Sequence, residues 1–336
     1  MKTKRFVFAA VAAAAMGILI LDGKTALSGG KEGVELCLRS LIPSLFPFLV
    51  LSDLLTGVLM GTDLPLLRPL GRLLRMPGGS ESLLIPGFLG GYPAGAQAIG
   101  RAFREGKIPK ETAGRLIVLC NHAGPSFLFG VLGNLFADRG QVWVLWGVQI
   151  LSALLCSQIL PQSGETLDYS GSCRMDLPGS VAAGIQAMAA ICGWVILFRV
   201  ILAFGEKWLL WAFSPTLRVV ITGMLELTNG CFALLQLQDP RLRFVLCAAM
   251  LSFGGICVTM QTAQVMQPLP VGSYVRWKLL QSVMSLLIST GIRYRQPLTI
   301  PVIAALGWLL KKTVAKQRNL VYNGPINLWR NPYAVS

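Results

Sequence analysis

Residues 82–100 read SLLIPGFLGGYPAGAQAIG, and this stretch decides the fold class. It is apolar enough to enter a membrane, but its five glycines and two prolines fit poorly in a straight helix. Basic residues flank it on both sides, in residues 68–75 and 101–115. Because Lys and Arg collect in cytoplasmic loops, both ends are expected on the cytoplasmic side. The sequence therefore predicts a re-entrant hairpin, whose broken backbone must be buried in protein or line a wet cavity.

The composition of the whole chain agrees with a membrane protein. Of its 336 residues, 54% are hydrophobic and only 13% are charged, against about 25% charged in a soluble domain. This excludes a soluble globular enzyme and predicts an all-α polytopic bundle of about eight to ten spans. The net charge of +15 comes from short basic runs between apolar segments. No basic patch is interleaved with aromatic residues that would stack on bases, so no nucleic-acid partner is expected.

Further apolar segments on both sides of this hairpin predict a bundle of membrane spans. Residues 6–21 are interpreted as a retained first span, with a signal peptide as the alternative. Residues 274–290 are either amphipathic or membrane-spanning. Residues 208–237 resemble the first broken segment, with Pro215 followed by a polar run at residues 226–230. The remaining predicted spans are residues 41–61, 116–137 (interrupted at 121–126), 141–160, 180–204, 244–266 and the short 298–310.

The order of these segments predicts two inverted repeats, each with a broken or re-entrant hairpin. A single transmembrane domain is expected over residues 1–310, followed by a basic cytoplasmic tail at 311–336. The first repeat covers about 40–140 and the second about 180–270, with peripheral helices at 1–22 and 274–310. One observation opposes this topology, because it places the acidic residues Glu165, Asp168 and Asp176 in the cytoplasm.

Polar residues within the predicted spans are the candidate binding residues, since such groups are costly at membrane depth. In the first broken segment they are Gly91, Tyr92, Pro93 and Gln97. A helix that begins after Pro93 would direct free N–H groups at an anion. The alternative is close helix packing through small residues.

The interrupted span carries a second group of candidates: Asn121, His122, Pro125 and Ser126. Pro125 lacks an N–H and frees a carbonyl one turn earlier, which places unpaired backbone beside an amide and an imidazole. The alternative for His122 is a structural histidine that is hydrogen-bonded within the bundle.

The second half of the chain contains a carboxyl group in apolar surroundings, Glu226, followed by Thr228 and Asn229. Such a carboxyl needs a proton or a cationic partner, so Glu226 is the candidate for binding a coupling proton or sodium ion. The alternative is a structural ion pair with Arg218 or Arg199.

Two glutamines form the fourth group. Gln261 and Gln264 are three residues apart and so share a helix face. They are candidates for hydrogen bonds to a solute or, alternatively, between helices.

No catalytic set is visible, and the chain is not expected to be an enzyme. His122 is the single histidine, and the eight cysteines form no CxxC pair. Walker A, HExxH and GxSxG motifs are also absent from the sequence. Neither a cofactor nor a metal site is therefore predicted.

An ordered set of motifs resembles the sporulation integral membrane protein family of spore-forming bacteria (the YlbJ type). That family lies within a wider group that carries the nucleoside-recognition Gate domain. The resemblance runs from about residue 35 to 290. Its motifs are LIPSLFPF at 41–48, GYPAGA at 91–96, Asn121 with Pro125, Phe127 and Gly130, ELTNG at 226–230, and Gly254–Gly255 with Gln261.

The resemblance implies a multi-pass protein in a membrane of the sporulating cell, related to concentrative transporters built from paired hairpins. The implied activity is movement of dipicolinate, a small aromatic dianion, toward the developing spore. Gln97 departs from the pattern, because many relatives are expected to carry a basic residue there. A nucleoside is the second substrate choice, and a non-transporting membrane scaffold is the alternative from another class. The lipid bilayer is the other expected partner, while homo-oligomerisation is left open.

Overall fold

The computed structural model describes residues 2–59, 62, 64–76, 80–136, 138–160, 175–267, 269–296, 301, 303, 304 and 307. The predicted basic tail at 311–336 and most of the predicted span at 298–310 lie outside these residues, as do Glu165 and Asp168.

The described residues form helices and turns and contain no β-strand. Four of their helical stretches are long and apolar enough to cross a membrane: Gly23–Leu59, Gly140–Ile159, Leu177–Trp208 and Pro240–Val265. The prediction of an all-α multi-pass membrane bundle is therefore confirmed, while the opposed orientation of two repeats stays a prediction. The α-helices are α1 Lys2–Leu21, α2 Gly23–Leu36, α3 Ile42–Leu59, α4 Arg68–Leu73, α5 Ala94–Arg104, α6 Lys110–Cys120, α7 Pro125–Gly130, α8 Gly140–Ile159, α9 Leu177–Trp208, α10 Pro215–Leu225, α11 Leu227–Ala233, α12 Pro240–Phe253, α13 Gly255–Val265 and α14 Val271–Tyr294.

Helix interruptions occur where the sequence places glycine, proline and polar residues in apolar runs. A π-helical turn over Pro86–Gly90 ends at Gly91, whose φ is +72°, before α5 begins. Residues 121–124 separate α6 from α7, and Glu226 separates α10 from α11. Gly254, with a φ of +83°, separates α12 from α13, and Gly255, the first residue of α13, has a φ of +80°, because a positive φ is accessible to glycine at little cost. We refer to residues 121–124 below as the 121–124 break.

The second predicted span extends further toward the N-terminus than its apolar pattern indicates. The helical stretch runs from Gly23 to Leu59 and includes a π-helical turn at Cys37–Leu41, which ends two residues before Pro43. Its first part, α2, packs against α9 through Gly29 and Gly33. Small residues four apart let two helix backbones approach closely in a membrane, and this contact holds the polar helix α2 against the bundle.

The single Arg within α9 has acidic partners inside the protein. Arg199 Nε donates to Glu32 Oε2 of α2 at 2.9 Å, and Arg199 Nη1 donates to Glu206 Oε1 at 3.1 Å. The Arg199 side chain is therefore part of the α2–α9 contact.

Helix α14 lies inside the bundle, packed along α12 and α8. Its 24 residues span about 36 Å, which is enough to cross the hydrocarbon core. A polar stripe on α14 is buried: Tyr274, Lys278, Gln281, Ser285 and Ser289.

We predict that Gly33→Ala destabilises the protein, whereas Gly30→Ala does not. A Cβ atom on Gly33 would lie 2.9 Å from Ile196 Cα, which belongs to backbone, whereas a Cβ on Gly30 would meet no atom within 4 Å. Overpacking of this kind costs about 1–3 kcal/mol, and alanine at an open helix position costs nothing. Unfolding of the purified protein in detergent measures both variants, and equal stability of the two would contradict the α2–α9 contact.

Candidate functional site

The turn of the first broken segment crosses the 121–124 break near the middle of the bundle. Tyr92 N donates to His122 O at 2.7 Å. A Cβ atom on Gly91 would lie 2.5 Å from Gly124 N, and one on Gly124 would lie 2.8 Å from Gly91 Cα. The two backbones touch here, so glycine is required at both positions.

Close packing also accounts for other glycines of the first broken segment. A Cβ on Gly95 would lie 2.0 Å from Cys120 O, and one on Gly87 would lie 2.5 Å from Cys120 Cβ. These glycines seat the segment against the last turn of α6. Close packing is thus seen at Gly87 and Gly95. Gly90 and Tyr92 of the same segment also line a cavity.

This cavity lies where interruptions from the two halves of the chain meet. Gly90, Tyr92, Gly124 and Ser126 line it from the first half. Glu226, Leu227, Thr228 and Gln261 line it from the second half, and the other lining side chains are aliphatic or Phe127. Its volume of about 30 Å³ has room for about two water molecules, so it is too small for an organic solute in this conformation.

The polar centre of the second half is Glu226, which is 1% exposed. Its carboxylate accepts hydrogen bonds from Thr228 N at 2.9 Å and from Asn229 N and Nδ2, each at 2.7 Å. Glu226 thus caps the N-terminus of α11, and these N–H groups are already occupied. None of the ion pairs between described residues includes Glu226, so the alternative of a pair with Arg199 or Arg218 is not seen. Among the described residues, no cluster of three or more His, Cys, Asp or Glu can hold a metal ion.

The buried amide of Asn121 connects the 121–124 break to the second half of the chain. Its Nδ2 donates to Thr262 Oγ1 and to Tyr274 Oη, both at 2.8 Å. Its Oδ1 is buried without a hydrogen-bond partner. The ring of His122 stacks at a tilt on Phe88, with centroids 5.2 Å apart.

The free backbone groups of the break have side-chain partners on α8 and α14. Gln149 Oε1 accepts from Ala123 N at 3.2 Å, and Gln149 Nε2 donates to Ala123 O at 3.4 Å. Lys278 Nζ donates to Asn121 O at 3.0 Å. Two side chains from other helices therefore replace the helical hydrogen bonds that this segment lacks.

Lys278, Gln281 and Gln149 are not among the residues that the sequence predicts for the site. A signal for the first two was present, because Lys278, Gln281, Ser285 and Ser289 recur at the spacing of one helix face. Gln149 is a single polar residue in an apolar span, and its role appears only from its contact with Ala123.

The structure brings most of the candidate binding residues together. Tyr92, Ser126, Glu226, Thr228 and Gln261 line the cavity. Gly91, Pro93, Asn121, His122, Pro125 and Asn229 lie in or beside the interruptions that form it.

Two candidates lie elsewhere. Gln97 is in the first turn of α5 and is not among the lining residues. Gln264 is exposed and accepts a hydrogen bond from Trp194 Nε1 at 3.2 Å.

A curated protein of Bacillus subtilis (strain 168), the sporulation integral membrane protein YlbJ, is 31% identical to this chain over 132 residues. The aligned part makes up 38% of this chain and 32% of the relative, so the match spans about a third of that protein's length. No family model and no solved structure matches the chain.

The match confirms the resemblance that the ordered motifs indicated. The name of this relative, an integral membrane protein, agrees with the four helical stretches that are long and apolar enough to cross a membrane. The chain is a multi-pass integral membrane protein that is similar, over the aligned part, to a sporulation integral membrane protein of the YlbJ type.

Proposed function

We propose that this protein is a secondary transporter for a small organic anion during spore maturation, with dipicolinate as the first candidate. The observation that carries the proposal is the small cavity, lined in part by polar side chains, at which the interruptions of both halves meet. Secondary transporters bind their solutes near the midplane at the interface of two repeats, between discontinuous helices. The role in sporulation rests on the similarity to YlbJ.

The small volume of the cavity supports a cycle with a closed state. A cavity of about 30 Å³ is well below the several hundred Å³ of ordinary small-molecule sites. Binding therefore requires the broken segments to separate, on one side of the membrane or the other. The predicted repeats would provide two units that can separate, if α3, α5 and α6–α7 of the first half correspond to α9, α10–α11 and α12–α13.

The polar atoms of the cavity supply contacts for a solute. Tyr92 Oη is buried without a hydrogen-bond partner, and Ser126, Thr228 and Gln261 contribute hydroxyl and amide groups. An unpaired buried hydroxyl is costly, so a bound solute that accepts its hydrogen bond regains that cost.

An anionic solute in this cavity would have to share it with the negative charge of Glu226. Among the described residues that line the cavity, Glu226 is the carboxylate and none is Lys or Arg. A second negative charge at about 4 Å would be repelled by about 4 kcal/mol at an effective dielectric constant of about 20. An anion therefore needs a proton on Glu226 or a cation beside it, which makes a proton or sodium ion its co-substrate.

The same lining favours a nucleoside as the second candidate solute. Amide, hydroxyl and aromatic groups without a Lys or Arg suit a neutral ring compound, which needs no partner for Glu226. Uptake of labelled dipicolinate and of a labelled nucleoside into the same proteoliposomes compares the two solutes directly.

We predict that Glu226→Gln abolishes ion-driven accumulation of dipicolinate but retains exchange of dipicolinate across the membrane. The neutral amide removes the repulsion and also removes the group that holds the co-substrate ion, so accumulation should fall at least about tenfold. Uptake into proteoliposomes under sodium and pH gradients measures accumulation, and counterflow measures exchange. Glu111→Gln is the matched control, because Glu111 is exposed.

Accumulation by the Glu226→Gln variant at the wild-type level would contradict the role of this carboxyl. Absence of transport of either solute by folded wild-type protein would favour the membrane scaffold instead.

We predict opposite effects on stability from removing two tyrosine hydroxyls. Tyr92→Phe should raise stability by about 1 kcal/mol or leave it unchanged, because it removes an unpaired buried hydroxyl, and it should weaken dipicolinate binding several-fold. Tyr274→Phe should lower stability, because Tyr274 Oη accepts the hydrogen bond of Asn121 Nδ2. Thermal unfolding and equilibrium binding of labelled dipicolinate measure both effects. Unchanged affinity in Tyr92→Phe would remove this hydroxyl from the solute site.

A further inference from the structure

Lys278 is an ionisable group in the interior of the bundle that the proposed solute site does not use. The residue is 1% exposed, and its Nζ donates to Asn121 O at 3.0 Å and to Gln281 Oε1 at 2.7 Å. Both acceptors are neutral oxygens. None of the ion pairs between described residues includes Lys278. A charged amine buried without a counterion is costly, and ionisable residues at membrane depth mark ion or proton pathways.

The hydrogen bonds around Lys278 fix the charge of its nearest neighbour. Gln281 Oε1 accepts from Lys278, so Gln281 Nε2 is the donor to His122 Nδ1 at 3.3 Å. His122 Nδ1 is then an acceptor and His122 Nε2 carries the proton, which it donates to Leu119 O. His122 is therefore neutral in this arrangement.

The other titratable side chains that face Lys278 supply no charge either. They are Tyr274, one turn earlier on α14, and Cys156 of α8. Tyr and Cys side chains are ordinarily uncharged near pH 7. A proton on Lys278 thus adds a net charge to this network, and its loss removes that charge.

Lys278 is joined to the solute cavity through the 121–124 break. Asn121 O accepts from Lys278, the next carbonyl, His122 O, accepts from Tyr92 N, and Gly124 lines the cavity. A hydrogen bond from a charged donor is roughly twice as strong as one from a neutral donor. The charge on Lys278 therefore sets how firmly α14 holds the segment that closes the cavity.

We propose that Lys278 is a proton-binding site that couples proton movement to opening of the cavity. In the closed state the buried amine is neutral, and its two N–H groups hold Asn121 O and Gln281 Oε1. In the open state water reaches the amine, which takes one proton from one side of the membrane, carries it with the solute and releases it on the other side. The ligand is a proton, and each cycle returns the amine to its starting state. This proposal rests on the proposed transport function and adds the coupling ion and a residue that binds it.

Two measurements test the proposal, and the first needs no transported solute. The thermal unfolding temperatures of wild type and Lys278→Met are compared across pH in detergent. If Lys278 gives up its proton in the folded protein below about pH 10, where the unfolded lysine keeps its proton, wild type gains stability relative to Lys278→Met as the pH rises through that range. If Lys278 stays protonated in the folded protein throughout that range, the difference is constant, and that result overturns the proposal. Arg276→Met is the matched control on the same helix, because Arg276 is exposed, and its difference should stay constant.

The second measurement is dipicolinate uptake by the same variants in proteoliposomes. We expect Lys278→Met to retain counterflow exchange and to lose accumulation driven by a pH gradient by at least tenfold. Gln281→Glu places a carboxylate beside the amine and holds its proton, so pH-driven accumulation should require a more alkaline receiving side. Wild-type accumulation in Lys278→Met overturns the proposal even if transport itself is established. If wild type transports neither dipicolinate nor a nucleoside, the proposed function fails, and the unfolding comparison alone decides whether Lys278 binds and releases a proton.

Discussion

A helix that is interrupted within a membrane leaves backbone N–H and C=O groups that lipid cannot satisfy. The whole centre of this protein is organised by that constraint. The 121–124 break obtains its hydrogen bonds from Tyr92 N, from both ends of the Gln149 amide and from Lys278. The break between α10 and α11 obtains them from Glu226, which caps its own helix. Residues that first appear to be solute ligands therefore have a structural task as well.

In the proposed transport cycle, the same contacts stabilise the interrupted helices and control access of the solute. Moving a broken segment to admit a solute means exchanging these bonds for others, because the freed groups remain costly until they are paired. Glu226 and Lys278, the ionisable members, make stronger bonds when they carry a charge than neutral partners do. A change of charge at either residue therefore alters the balance between closed and open arrangements more than a change at a neutral partner does.

The sequence was informative where the signal is local. Glycine, proline and polar residues within apolar runs predicted the interruptions at 91–93, 121–124 and 226. Residues 244–266 were predicted as one span, which Gly254 divides into α12 and α13. Helix α2 was not predicted as part of a span, because its contact with α9 depends on only two small residues, Gly29 and Gly33. The rest of the helix has a polar pattern, with charged residues at Lys24, Lys31, Glu32 and Glu35. Spacing placed Gln261 and Gln264 on one face, but only the position of α9 determines that Gln264 meets Trp194 and Gln261 meets the cavity. One of the two acceptors of Lys278 is a backbone carbonyl, Asn121 O, and such a contact leaves no trace in sequence.

The two hydrogen bonds between Gln149 and Ala123 have a geometric consequence. One primary amide holds the N–H and the C=O of a single residue, much as a neighbouring β-strand would, although no sheet is involved. The N–H and the C=O of Ala123 belong to the peptide units on either side of it, so rotation of either unit breaks one of the two bonds. Ala123 is therefore held in both position and orientation by α8, which carries Gln149. A movement of the 121–124 break must either carry α8 with it or break both bonds.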